Sequence, residues 1–115
     1  MICHMTNDVK HGYVLGLDTS NYTTSVAITD ESHNIICDER KLLKVKQGER
    51  GLRQSDALFQ HIKNLPDLIK SATKNIDSGS IAAVSCSVAP RPIEGSYMPV
   101  FMASKSFAES ISAAM

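Results

Sequence analysis

The spacing of apolar residues changes once along this chain, and that change restricts its possible folds more than any other feature. Val14, Leu15 and Leu17, then residues 25–28, then Ile35, Ile36 and Cys37 with Leu43 and Val45, form short runs rich in branched side chains. Polar turns separate them, the second being DESHN at 30–34. Strands joined by such short turns must be antiparallel neighbours, so residues 13–45 predict a three-stranded meander. From Ser55, a candidate N-cap, the spacing lengthens: Leu58, Ile62, Leu65, Ile69 and Ala72 mark one face of a helix. Pro66 lies within that pattern and predicts a kink or restart, because proline lacks the amide donor and crowds the preceding turn.

After a loop at 75–80 comes IAAVSCSV at 81–88, a run without a polar face that predicts an interior strand covered on both sides. With a helix between this run and the meander, its pairing with the first strand is a parallel crossover. Gly95-Ser96 then reads as the cap of a last helix whose face carries Tyr97, Val100, Phe101, Ser104, Phe107, Ala108 and Ile111. Residues 1–12 are polar and aperiodic and read as a flexible leader before a lobe spanning 13–115. That last helix has no stop signal, which suits a fragment of a two-lobe protein.

A chain of 115 residues with 43% hydrophobic content can bury one core. Twelve basic residues balance twelve acidic ones, so net charge argues for neither nucleic acid nor membrane. Cys3, Cys37 and Cys86 are odd in number and far apart, which suggests free thiols in a reducing cytoplasm rather than a disulfide or zinc framework. No signal peptide or membrane-length apolar run is visible in the sequence.

The chemistry-bearing stretch is LGLDTSNYTTSVA at 15–27. Thr19, Ser20, Asn21, Thr23 and Thr24 offer donors at the tip of two strands, where they can wrap phosphate oxygens, and Asp18 can hold a magnesium through water. The same residue types also favour any tight turn, and pattern alone leaves both readings open. RKLLKVKQGERGLR at 40–53 holds Arg40, Lys41, Lys44, Lys46, Arg50 and Arg53 against one acid, Glu49. It is either a phosphate-neutralising stripe or a charged outer strand that resists edge pairing, and no aromatic residue interleaves with it. The loop from Arg91 to Ser96 lies where open sheets bind ligands, with a plain strand-to-helix turn as the alternative. The four histidines, His4, His11, His33 and His61, have no metal-ligand spacing, and no metal site is expected. His61 reads as a partly exposed helix residue and Cys86 as a small core residue. Glycine-rich P-loop and dinucleotide motifs are missing from the sequence.

Taken in order, LGLDTSNYTTSVA, GERGLRQSDALFQHIKNLP at 48–66 and RPIEGSYMPVF at 91–101 resemble the N-terminal half of the tRNA threonylcarbamoyladenosine transferase family. That family is long known under the legacy label of glycoprotease or O-sialoglycoprotein endopeptidase. The resemblance covers about residues 14–112. It implies a ribonuclease-H-like half-domain of the actin-like ATPase fold: a three-stranded antiparallel meander plus a parallel strand, with packed helices. It further implies a cleft for ATP or an adenylate with a divalent metal, and transfer of threonylcarbamoyl to adenosine in tRNA. By that resemblance Asp18, Thr19, Ser20, Asn21, Thr23, Gly95 and Ser96 line a nucleotide wall. Asn21, Tyr22 and Thr23 replace the family's Cys-Asp-Glu, and its metal-binding His-x-x-x-His would fall beyond Met115. Neither cofactor site is therefore complete in this chain, and the fragment alone is expected to be inactive. The alternative is a non-catalytic interaction module that pairs with itself or a transferase paralogue, as the family's smaller bacterial member does. Nothing in the chain resembles a hydrolytic nucleophile with its base.

Overall fold

A computed structural model describes residues 12–91 and 98–115, and the backbone of residues 2–6. Five strands form a single sheet: β1 (Ile2–Thr6), β2 (Tyr13–Asp18), β3 (Thr23–Thr29), β4 (Ile35–Leu42) and β5 (Ile81–Ser87). Their order across the sheet is β1-β5-β2-β3-β4. The meander β2-β3-β4 is antiparallel, as its short turns require, and β5 lies parallel to β2 after the helix α1 (Gln54–Ala72). This is the mixed α/β arrangement expected from the change of period.

The first turn of the meander is four residues long, and the second is built by Asp30. Its Oδ1 accepts the amides of Ser32 and Asn34, both at 2.9 Å, while Asn34 Nδ2 donates to Oδ2. The Asn34 bonds hold the Asp30 carboxyl below its ordinary range.

Alternate residues of the strands face opposite ways. Leu15, Leu17, Val26, Ile28, Val84 and Cys86 point to one side, where they form a core with Leu65 and Ala72 of α1 and Ala103 and Ala108 of α2 (Phe101–Ala114). Both helices thus pack on the same face. The other face presents Gly16, Ser25, Ala27, Ala83 and Ser85, all partly exposed, and no helix covers them among the described residues.

Several expectations need correction. The stretch read as a flexible leader supplies β1, which pairs antiparallel with β5 from Ile2↔Ser87 to Thr6↔Ala83. β5 is interior to the sheet but, among the described residues, covered by helices on one side only, and toward the other it turns Ala83 and Ser85, which have little apolar area to bury. α1 starts at Gln54 with Arg53 at the cap, two residues before the expected cap at Ser55, and no side chain caps it. The helix continues through Pro66, which lies exposed beside Ile62, so the carbonyl that loses its donor faces water. Its buried stripe is Ala57, His61, Asn64, Leu65 and Ala72, rotated from the expected face, and Ile62 is exposed. α2 begins at Phe101 after a turn at Pro99 and Val100. The cap expected at Gly95-Ser96 lies outside the described residues.

Candidate functional site

β2 and β5 are parallel neighbours, so Asp18 and Ser87 bring their carboxyl ends to the same edge of the sheet. A cleft of about 450 Å³ opens there toward the helix-free face, floored by Gly16, Ser25, Ala27 and Ser85 and walled by Asp18, Ser20, Pro90 and Phe101 at the start of the last helix. Small residues make this space: at Gly16 an added Cβ would only touch Ala27 and Ser85 at ordinary distances, so the floor is low without being tight. In sheets of this kind ligands bind outside the carboxyl ends of the strands, where the cleft lies.

The turn between β2 and β3 is tied down on two sides. Toward α2, Thr19 is fully buried: its hydroxyl donates to the Val100 carbonyl at 2.8 Å and accepts the Ser104 amide at 3.1 Å. Ser104 in turn donates to the Ser87 carbonyl at 2.6 Å, and Ser87 Oγ accepts the Thr19 amide at 3.4 Å. Three separate elements therefore meet on buried hydroxyls, each with a partner, as burial of polar groups demands.

Toward α1, His61 is fully buried rather than partly exposed. Its Nε2 faces the Asn21 carbonyl at 2.9 Å, which can only accept, so Nε2 carries the proton and Nδ1 accepts from the Thr24 hydroxyl at 2.7 Å. Asn64 Nδ2 completes the chain by donating to Thr24 Oγ1 at 3.2 Å. Burial pushes the His61 imidazole below its ordinary value, against the opposing pull of the Asn21 bond and the Asp18 charge. A neutral ring is what this network needs, because a proton on Nδ1 would displace the Thr24 donor.

The site residues named from sequence thus separate. Asp18 is exposed at the cleft, with Oδ1 accepting the Ser20 amide at 2.9 Å. Ser20 lines the cleft beside it. Thr19 points inward, and its amide and hydroxyl are spent inside the protein. Asn21 is exposed with its carbonyl held by His61, and Thr23 opens β3 partly exposed. Gly95 and Ser96 lie outside the described residues. Thr24, expected among the phosphate-wrapping donors, instead turns its hydroxyl inward to His61 and Asn64. His61, Asn64, Ser87 and Ser104, which also position the turn, were not singled out as site residues from sequence. For His61 and Asn64 a signal existed: they continue the stripe of Ala57, Leu65 and Ala72.

Tyr22 binds the GERGLR stretch to the same turn. Its carbonyl accepts the Leu43 amide at 2.7 Å, and its hydroxyl accepts the Leu52 amide at 3.4 Å. A Cβ at Gly51 would fall 2.7 Å from that hydroxyl, so glycine permits the approach. The basic stripe runs from the edge strand β4 into this connection. Gln60 fastens it to α1 by bonding both the amide and the carbonyl of Lys44, at 2.8 and 2.9 Å. Lys41, Lys44, Lys46 and Lys63 line a groove of about 350 Å³ with no carboxylate among its lining residues. Phe59, remote in sequence order, sits among them, 68% exposed.

Among the described residues no group of three or more His, Cys, Asp or Glu side chains can hold a metal ion. The residues at the cleft suit a cation shared with a ligand's phosphates, since Asp18 supplies one open carboxylate oxygen and Ser20, Ser25 and Ser85 supply hydroxyls. Burial and the neighbouring Glu39 carboxylate push the Cys37 thiol up, which unsuits it as a nucleophile. No helix among the described residues is long and apolar enough to cross a membrane.

No protein-family model matches the chain. It is 31% identical over 78 residues to a tRNA N6-adenosine threonylcarbamoyltransferase of Thermotoga neapolitana, an alignment covering 67% of this chain and 24% of that protein. The chain therefore spans about a quarter of the length of that curated relative. This likeness is distant and partial, and it supports kinship at the level of the family.

Proposed function

We propose that this chain is the N-terminal, nucleotide-facing lobe of a protein of the tRNA threonylcarbamoyladenosine transferase family, with its β2–β3 turn forming one wall of an ATP or adenylate cleft. The observation that carries this reading is the exposed Asp18 carboxylate at the joint carboxyl ends of β2 and β5, above an open floor of Gly16, Ala27 and Ser85. A bare carboxylate repels phosphates. Asp18 would therefore act through a divalent cation brought by the nucleotide, which Asp18 and the neighbouring Ser20 would hold and which would neutralise phosphate charge. Thr19 and His61 contribute by fixing the turn, so that Asp18 and Ser20 face the cleft without reorganising.

The lobe alone leaves the transfer unassisted. Asn21, Tyr22 and Thr23 supply no acid beside Asp18, and among the described residues no opposing wall faces the cleft to hold an acceptor amine, whereas positioning is most of what such a transfer requires. Calorimetry with ATP tests the reading on the 115-residue chain. The expected result is binding with Mg²⁺ that weakens about tenfold or more in EDTA, and an Asp18→Asn variant that binds about as weakly with Mg²⁺ as without it. Undiminished binding in EDTA, or a variant as Mg²⁺-dependent as the parent, contradicts it.

A further inference from the structure

We propose that the outer edge of β4 is an interface for a second copy of this chain, the two strands pairing antiparallel about a two-fold axis at Glu39. This inference does not rest on the nucleotide reading, although the two sites are neighbours: β4 stands two strands away from β2, and the Asp18 charge reaches Arg40 across β3. β4 closes one side of the sheet, so its outer backbone groups have no strand partner among the described residues. An edge of this kind is a template for another strand unless it is blunted. Its apolar residues are at the ends: Ile35 is 67% exposed, Ile36 50% and Leu42 70%. Asp38 and Arg40 lie between, joined to each other by two bonds of 3.1 Å.

The order of these residues is its own complement. Asp38, Arg40 and Leu42 pair with Ala27, Ser25 and Thr23 of β3, which places them on the helix-free face. The register irregularity opposite Ile28 and Thr29 leaves Ile36 turned outward next to them. Read in the opposite direction, apolar–acid–base–apolar meets base against acid and apolar against apolar. A two-fold pairing centred on Glu39 sets Asp38 against the second copy's Arg40, and Ile36 against its Leu42, twice over. A closed interface of identical patches requires this self-complementarity. The charge that meets its own image, Glu39, is drawn toward α1: it accepts the Ser71 hydroxyl at 2.9 Å on the helix side of the sheet. With no helix over the other face among the described residues, nothing on that face blocks a second sheet from continuing the first. A single strand pair buries little area, so the association is weak and concentration-dependent.

Charge reversal tests this on the 115-residue chain by sedimentation velocity over a concentration series, with circular dichroism confirming each fold. The parent chain is expected to shift from monomer toward dimer as concentration rises. Asp38→Arg and Arg40→Asp, each alone, set like charges against one another and weaken the dimer about tenfold or more. An equimolar mixture of the two variants restores association, since each then meets its opposite. Leu42→Ser, at a largely exposed side chain, weakens the parent dimer without reversing charge. A parent chain monomeric throughout overturns the proposal. So do variants that dimerise like the parent, or a mixture that associates no better than its components.

Discussion

The two faces of the sheet are built from alternate residues of the same strands, yet they differ in almost every physical respect. Leu15, Leu17, Val26, Ile28 and Val84 turn to the helices and are nearly sealed from solvent. Gly16, Ser25, Ala27 and Ser85 turn the other way and floor an open cleft. One face is where stability is made and the other is where a ligand has room. The comparison teaches that the buried polar networks sit at the end of the helix side, not on the open face. Thr19–Val100–Ser104 and Thr24–His61–Asn21 sit at the strand ends, where they hold the turn between a rigid core and an open cleft.

The comparison breaks if the two faces respond alike to substitution. Leu65→Ala, deep in the helix face, is expected to cost about 2–5 kcal/mol in urea unfolding, from lost transfer energy and the cavity left behind. Thr19→Val keeps the shape but strips the Val100 carbonyl and Ser104 amide of their buried partner, for a loss of about 1–3 kcal/mol. Ala27→Leu, on the open face, should change stability by no more than about 0.5 kcal/mol, while filling the cleft floor and abolishing ATP binding.

His61 sharpens the comparison through pH. Its folded-state value lies below the unfolded value of about 6.5, so the unfolded chain takes up the proton first. The stability it supports is complete above about pH 6.5 and is lost as pH falls from there toward the lowered folded value. Urea midpoints between pH 7.5 and 5.5 should fall more steeply for the parent chain than for His61→Gln. Equal slopes would show that the buried ring does not control this window.

What was legible in the sequence follows the range of the interactions. The meander and α1 came from spacing and turn chemistry, which are local, and the parallel β5 followed from the helix between. β1 was missed because ICHMT is too short to display alternation, and its partner β5 is about eighty residues away. The rotated face of α1 was missed for another reason: His61 and Asn64 are polar, and only their buried partner Thr24 shows why they point inward. The exposed place of Asp18 at the turn after β2 was legible from its motif. Thr19 shared that motif, yet its hydroxyl turns toward Val100 and Ser104, a contact between residues more than eighty positions apart. Phe59 entered the lysine groove by the same kind of fold-level juxtaposition.

The central claim, that the open face and not the lysine groove receives the nucleotide, is tested most directly by following backbone amide shifts during a titration with Mg²⁺–ATP. The account predicts that Gly16, Asp18, Ser20, Ser25 and Ser85 move together and saturably, while Lys44, Phe59 and Lys63 stay still. Movement centred on the lysine groove, with the Asp18 cleft unchanged, would contradict it.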